Sequence, residues 1–322
     1  MRRRHVLAAG LAVPFVRTAQ AQNAPQFTRP LRMLVPYAPG GGADTTARLL
    51  AGPMGQFLGQ TIVVENRPGA GGSIAAGAVA AAPPDGHTLM LDASAHAVNP
   101  ALIRSLPFNY ATAFAPISQV TVLPQIFAVN PNLGPKTLAE FVALAKSKPG
   151  QLTYGSSGNA TAAHLAAELF LRRAGLDVAH APYRGGAPAL QDVLGGAIAF
   201  VFATVSSGTA LVQQGRLLGL GVSSAQRIAS LPDVPTIAEQ GFPGYELNEW
   251  NGLYTVAGTP APLVAKLFEA AAAALKDSTV LARLAALGAE PVGTPPEVFA
   301  PWLARERDAM ATLVREARIT ID

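Results

Sequence analysis

The 322-residue chain contains no cysteine. This absence excludes disulfide bonds, thiolate zinc sites, iron–sulfur clusters and cysteine nucleophiles, and it also excludes a lipid anchor on an N-terminal cysteine. Histidines are few, and the four beyond the N-terminal segment are not spaced as metal ligands on a helix. These four are His87, His96, His164 and His180. We therefore expect neither a metal nor any other cofactor.

The N-terminal segment has an apolar run that is too short to span a bilayer. The basic residues Arg2 to Arg4 precede an apolar stretch at 6–16, and the segment ends in the small-residue sequence Ala19-Gln20-Ala21. A transmembrane helix needs about 20 apolar residues, whereas this pattern is typical of an export signal. We predict a signal peptide at 1–21, cleaved near Ala21, and a periplasmic mature protein. The basic start resembles a twin-arginine signal, with general secretion as the alternative.

An excess of one charge is also missing once that segment is removed. The formal net charge of +4 comes from 24 basic and 20 acidic side chains. Residues 1–21 contain four arginines and no acid, so the mature chain has 20 of each sign. No basic run with interleaved aromatic residues remains, which excludes nucleic acid as an expected partner.

Short β-branched runs alternate with longer amphipathic segments, a pattern that predicts an α/β fold. The predicted strands are 31–37, 61–64, 87–91, 117–129, 152–154, 179–183, 198–203, 217–222 and 252–256. The predicted helices are 45–58, 73–82, 138–146, 161–173, 187–194, 262–276, 280–287 and 297–318. The uncharged segment 195–212 is interpreted as a buried strand and helix. Turns near 233–236 and 241–244 mark a crossing between lobes, so we assign 22–125 to lobe 1, 126–247 to lobe 2 and 248–322 to a return to lobe 1 with C-terminal helices.

Two segments, one in each half, run from a strand through a tyrosine into a glycine-rich turn and a helix. They are YAPGGGADTTAR at 37–48 and YGSSGNATAAH at 154–164. A helix start has unpaired N–H groups and partial positive charge, and glycine lets backbone approach a ligand closely. We therefore predict two lobes that close on one carboxylate.

Two features within these segments, and a third turn outside them, have competing interpretations. Asp44 is a helix cap, a brace for the glycine turn or a partner for a ligand amine, and Arg48 one turn later pairs with it. His164 is interpreted as a packing histidine bonded to backbone, with a ligand donor as the alternative. The turn at 183–186 is either an ordinary turn or a ligand contact, because it follows a predicted strand, where ligands collect in open α/β sheets.

Enzymatic patterns are incomplete. The turn Gly69-Ala70-Gly71-Gly72 has Ile74 where a dinucleotide-binding turn has its third glycine, which favours a structural helix entry. The chain has no Gly-x-Ser-x-Gly sequence. An exported α/β hydrolase that uses Ser157 and His164 remains an alternative.

Further segments complete a family pattern. They are PYAPGGGAD (36–44), VENRPGAGG (64–72), PDGHTL (84–89), TYGSSG (153–158), PYRG (182–185), DVLGG (192–196), LPDVPT (231–236), WNGL (250–253) and AGTP (257–260). In this order the chain resembles the periplasmic solute-binding proteins of tripartite tricarboxylate transporters, also called the Bug family, over essentially its whole mature length.

The resemblance implies a two-lobed, periplasmic-binding-protein-like (Venus flytrap) fold without catalysis, with a carboxylate held in the cleft by backbone groups and ordered waters. The residues that it implies in lobe 1 are Ala38, Gly40, Gly41 and Asp44, with Ser73 and Ser94 as secondary candidates. Those in lobe 2 are Ser156, Ser157, Asn159, Thr161 and Thr204. The implied ligand is a small organic acid: a di- or tricarboxylate, an amino acid or an aromatic acid. A monomer would deliver it to membrane transporter subunits, or alternatively signal its presence to a sensor kinase.

Three positions depart from the family pattern. Ala160 stands where many members have glycine, which predicts a narrower or stiffer second turn. Ala199 replaces a frequent aspartate, and Ser73 a frequent asparagine. We expect these changes to affect ligand choice and lobe geometry more than the fold.

Overall fold

The computed structural model describes residues 27–320, so the predicted signal peptide lies outside the described residues. The strands of this part are β1 (Leu31–Val35), β2 (Ile62–Asn66), β3 (Thr88–Ala93), β4 (Phe114–Leu123), β5 (Gln125–Val129), β6 (Thr153–Ser156), β7 (Ala179–Pro182), β8 (Phe200–Thr204), β9 (Leu218–Val222), β10 (Glu249–Val256) and β11 (Glu290–Thr294). The helices are α1 (Gly42–Leu58), α2 (Ser73–Ala80), α3 (Ala95–Leu102), α4 (Leu138–Ser147), α5 (Ala162–Ala174), α6 (Gly186–Leu194), α7 (Val205–Gln213), α8 (Ala261–Ala274), α9 (Ser278–Ala286) and α10 (Pro296–Ala317). The α/β prediction is confirmed.

The strands form two mixed sheets, each covered by helices. The six-stranded sheet has the order β11-β4-β10-β3-β1-β2, with β1 parallel to β2 and β3, and with β10 antiparallel to both of its neighbours. The five-stranded sheet has the order β7-β6-β8-β5-β9, with β6 parallel to β7 and β8. Parallel neighbours need a crossover connection, which α1 and α2 provide in the first sheet and α5 and α6 in the second. We call the six-stranded sheet with its helices the first lobe, and the other the second lobe.

Two segments connect the lobes, and they run side by side. One passes from β4 to β5 through Pro124, and the other enters the first lobe at β10. Leu123, the last residue of β4, pairs with Glu249, the first residue of β10. The two crossings are therefore adjacent in space. The exact lobe boundaries given above stay predictions.

One predicted strand is wrong. The segment 117–129 forms two strands in different sheets, because Pro124 has no N–H to continue the hydrogen-bond ladder. A run of β-branched and apolar residues predicts extended backbone but does not show a change of sheet. The predicted strand and helix at 195–212 are confirmed as β8 and α7.

Two elements were not predicted. Helix α3 contains Pro100 and two polar residues, His96 and Asn99, that are buried. Its place in the core is secured by the ring of His96, which stacks on Tyr254 at 4.0 Å. Strand β11 contains Pro291 and Gly293, and these residues are tolerated because β11 is an edge strand. None of the helices in the described part has the length and apolarity needed to cross a bilayer.

The last helix contacts both lobes. Helix α10 packs on α3 and β4 of the first lobe and on α5 of the second. Arg172 of α5 donates hydrogen bonds to the carbonyl and the carboxylate of Glu316, at 2.8 and 3.0 Å.

Candidate functional site

Two neighbouring cavities lie between and beside the lobes, and Glu249 lines both. The larger cavity, about 540 Å³, lies between the first-lobe residues Tyr37, Ala38 and Ser94 and the second-lobe segment 159–162. The smaller cavity, about 290 Å³, lies mainly within the second lobe and reaches Gln125 at the crossing. Small-molecule sites are commonly about 300–1,000 Å³, so together the cavities have the size of a binding cleft.

Helices from both lobes begin at this cleft. On the second-lobe side, the lining includes Thr161 before α5, Gly186 at the start of α6 and Thr204 before α7. On the first-lobe side, it includes Gly72 before α2 and Ser94 before α3. Apart from Thr161, none of these starts has a side-chain cap. Their first-turn N–H groups therefore give the cleft a partial positive charge suited to an anion.

The second glycine turn is tied together by its own hydroxyls. Thr161 Oγ1 donates to the carbonyl of Gly158 at 2.8 Å and accepts from the N–H of His164 at 3.4 Å, so Thr161 caps the start of α5. Ser156 Oγ accepts from the N–H of Gly158 at 3.2 Å and lies 2.7 Å from His180 Nε2. The turn is thus held in shape before any ligand arrives.

Ala160 adopts a left-handed backbone conformation in this turn, with φ of 59°. Such a conformation costs an L-residue about 1–2 kcal/mol, whereas glycine adopts it freely. Its side chain lines the larger cavity. The departure from glycine therefore introduces strain in the turn and a methyl group in the cleft.

The first glycine turn is held by Asp44. The Asp44 carboxylate accepts hydrogen bonds from the N–H of Gly40 at 2.8 Å, from Arg48 Nε at 3.1 Å and from Asn66 Nδ2 at 2.8 Å. Burial opposes its ionisation, but the hydrogen bonds from Arg48, Gly40 and Asn66 outweigh burial and lower its pKa. The pairing with Arg48 is confirmed, and of the three interpretations of Asp44 the structure supports the brace.

The structure divides the eleven predicted site residues into two groups. Seven line the cavities: Ala38, Ser94, Ser156, Ser157, Asn159, Thr161 and Thr204. Four line neither cavity: Gly40, Gly41, Asp44 and Ser73. Ser73 instead donates to the carbonyl of Ala70 at 2.9 Å. As ligand contacts, all eleven stay predictions.

His164 is a packing histidine, as predicted. Its Nδ1 accepts from the N–H of Ala160 at 2.9 Å, its Nε2 lies 3.9 Å from Glu168, and its ring stacks on His180 at 3.9 Å. Burial and the neighbouring His180 lower its pKa to about 3, so the ring is neutral. No hydrogen bond among residues 27–320 joins it to Ser157, so the pair that a hydrolase would need is not assembled.

Two cleft residues were missed by the sequence reasoning. Glu249 accepts hydrogen bonds from the N–H and Oγ of Ser94, at 3.4 and 3.1 Å. Burial raises the pKa of Glu249, the Ser94 hydrogen bonds lower it, and Asp92 raises it, with a net upward shift. Gln125 is 1% exposed, and its Oε1 has no hydrogen-bond partner among residues 27–320. Both residues lie next to the predicted lobe crossings, and this position is the sequence signal that could have identified them.

The described residues contain no group of three histidines or acids arranged for a metal ion. The glycines at 69, 71 and 72 all have positive φ, and the segment Ala70–Gly72 forms a short 3₁₀ turn on the wall of the larger cavity. This turn leads directly into α2, as the structural interpretation predicted.

Known proteins resemble this chain over nearly its full length. The sequence model of the tripartite tricarboxylate transporter family receptor matches residues 46–316. Protein BugT of Bordetella pertussis is 34% identical over 313 residues, or 97% of this chain and 94% of that protein. The solved structure of periplasmic binding protein BugD is 32% identical, with a TM-score of 0.74 over 91% of this chain and 99% of that one. MatC from Rhodopseudomonas palustris, solved with bound malate, is 33% identical, with a TM-score of 0.73 over 89% of this chain and 99% of that one. The predicted two-lobed, periplasmic-binding-protein-like fold is confirmed.

Proposed function

The chain belongs to the tripartite tricarboxylate transporter receptor family, and we propose that it captures a small organic carboxylate in the cleft and delivers it to a membrane transporter. The observation that carries this proposal is the convergence of helix starts from both lobes on one cleft. An anion placed there interacts with partial positive charge on two sides. The bound malate of the relative MatC supports a carboxylate as the ligand.

Closure of the lobes is the second part of the proposal. The backbone crosses between the two sheets at Pro124 and at Glu249, and these crossings lie side by side. Two adjacent crossings can act as a hinge between the lobes. A ligand that contacts both walls of the cleft stabilises the closed arrangement, and its differential affinity shifts the population toward it. A membrane transporter can then distinguish loaded from empty protein by shape.

The protein acts by binding and not by catalysis. Ser157 has no neighbouring base in hydrogen-bond contact among the described residues, and the neutral ring of His164 is already bonded to backbone. Export to the periplasm, where the receptor would meet its transporter, agrees with the predicted signal peptide and with the periplasmic relative BugD.

The test is a thermal-shift screen of the purified mature protein with organic acids, amines and neutral sugars. We expect the melting temperature to rise with concentration for one or more acids, because a ligand that binds only the folded state stabilises it by mass action. X-ray scattering should then show a smaller radius of gyration with the same acid. Stabilisation by non-anionic compounds alone, or turnover of an acid derivative that Ser157→Ala abolishes, would contradict the proposal.

A further inference from the structure

The residues that line the two cavities include a single charged side chain, and it is acidic. That side chain is Glu249, and no lysine, arginine or histidine of the described chain lines either cavity. Two arginines are close in sequence to lining residues, but neither lines a cavity: Arg67, next to Pro68, pairs with Glu65 at 3.3 Å, and Arg184 is exposed. A ligand with carboxylates alone would therefore meet a like charge and no cationic side chain.

Glu249 has one carboxylate oxygen in use and one available. Oε1 receives both hydrogen bonds from Ser94, whereas Oε2 receives none from any described residue. The side chain is shared by both cavities, so it stands where they meet. An available carboxylate oxygen in a partly buried cleft is a strong acceptor for a charged donor.

Among the described residues, Glu249 is the one charged acceptor that the cleft offers. Gln125 also lines the smaller cavity, but its side chain is almost wholly buried and its Oε1 is shielded from the cavity, so that oxygen is not available to a ligand. The other walls of the cleft consist mainly of small, apolar and hydroxyl side chains.

We propose that the ligand of this cleft is a carboxylate that also carries a protonated amine, and that Glu249 is the residue that selects it. The inference rests on the proposed carboxylate-binding function. The ammonium group donates to Glu249 Oε2, while the carboxylate lies against the helix starts of the second lobe. Glu249 also disfavours acids without an amine through like-charge repulsion, so selection uses attraction and repulsion together.

Burial disfavours the charged form of Glu249 and raises its pKa. An ammonium group beside the carboxylate favours its ionised form and opposes that shift. The described residues that line the cleft give the Glu249 carboxylate no counter-charge, and the ammonium group of an amino acid supplies one.

The test uses pairs of acids that differ only by an amine, namely aspartate with succinate, glutamate with glutarate, and γ-aminobutyrate with butyrate. Isothermal titration calorimetry is run on the mature protein, on Glu249→Gln and on the control Glu246→Gln. Glu246 is three residues away on the same segment, exposed, and lines neither cavity. The substitution at Glu249 keeps shape and an oxygen that Ser94 can bond, and circular dichroism checks the fold.

We expect the wild type to bind at least one amino acid about tenfold or more tightly than its amine-free partner, since loss of one member of a desolvated charge pair commonly costs at least that much. Glu249→Gln should remove the preference by weakening the amino acid and strengthening the amine-free acid, and Glu246→Gln should keep it.

Two results would overturn the inference while leaving the proposed function intact: equal binding of both members of a pair by the wild type, or a preference that survives Glu249→Gln. Tighter binding of an amine-free diacid by the wild type than by Glu249→Gln would also overturn it, because Glu249 would then act as a protonated donor. If no anionic compound binds, with or without an amine, both the inference and the proposed function fail.

Discussion

The hydroxyl of Ser94 lies 3.1 Å from Oε1 of Glu249. The N–H of Ser94 points at the same oxygen from 3.4 Å, so a residue at the start of α3 holds a carboxylate at the start of β10. Both donors occupy one oxygen and leave the other toward the cleft. The contact therefore sets the direction of the carboxylate, and it lowers the pKa that burial raises.

From this contact we predict a pH dependence of amino acid binding. Glu249 must be ionised to bind an ammonium group, so affinity is complete well above its raised pKa and is lost as the pH falls through it. Ser94→Ala removes the hydroxyl donor that lowers this pKa and should move the loss of affinity to higher pH. Calorimetry across the range from about pH 4 to about pH 8 measures the midpoint.

The charged groups that face Glu249 define the control for this prediction. Asp92 raises its pKa, and Tyr37, which donates to Asp92 at 2.9 Å, is neutral over this range because burial and Asp92 raise its own pKa. Ligand carboxylates titrate as well, but they do so equally in Glu249→Gln. A pH profile of the wild type that matches that of Glu249→Gln would contradict the prediction.

Asp44 stabilises the fold by bracing the first glycine turn. Its pKa is depressed in the folded protein, so its stabilising effect is present above the ordinary value of 3.8 and is lost as the pH falls through the folded value. We expect Asp44→Asn to lower the free energy of unfolding by about 1–2 kcal/mol at about pH 7. Urea denaturation should show this difference shrinking as the pH is lowered below 3.8.

Asp233→Asn is the matched control for that measurement. Asp233 is exposed, and no described residue forms an ion pair with it. Its replacement should change the unfolding free energy by less than about 0.5 kcal/mol at neutral and at acidic pH. An equal effect of the two substitutions would show that the hydrogen bonds of Asp44 contribute no stability.

Local patterns in the sequence predicted the parts of the fold that are local in the chain. The strand, glycine turn and helix around Asp44 depend on neighbouring residues, as do those around Thr161, and periodicity together with capping residues is enough to place them. The strand 117–129 failed because the change of sheet at Pro124 depends on which strands pair. That pairing is non-local, and periodicity does not report it.

The same distinction applies to the cleft. Thr161 and Ala38 were found because they belong to recognisable turns, whereas Glu249 enters the cleft only because β10 pairs with β4 beside Pro124. Gln125 follows that proline directly. Predicting either residue would have required knowing that the two crossings are adjacent in space. A sequence shows only their positions along the chain. Polar residues beside a predicted lobe crossing are candidates that a motif search overlooks.

Ala160 connects stability with binding. Glycine at this position should relieve the left-handed conformation, and this gain of about 1–2 kcal/mol exceeds the backbone entropy that glycine loses, about 0.4–1 kcal/mol. We therefore expect Ala160→Gly to raise the free energy of unfolding by about 0.5–1 kcal/mol in urea denaturation. The matched control is Ala143→Gly on the exposed face of α4, where the same substitution should lower it by about 1 kcal/mol. Removal of the Ala160 methyl group also enlarges the cleft, so Ala160→Gly should admit acids with bulkier side chains in calorimetry. Destabilisation of equal size at both positions would mean that the turn relaxes around Ala160 and carries no strain.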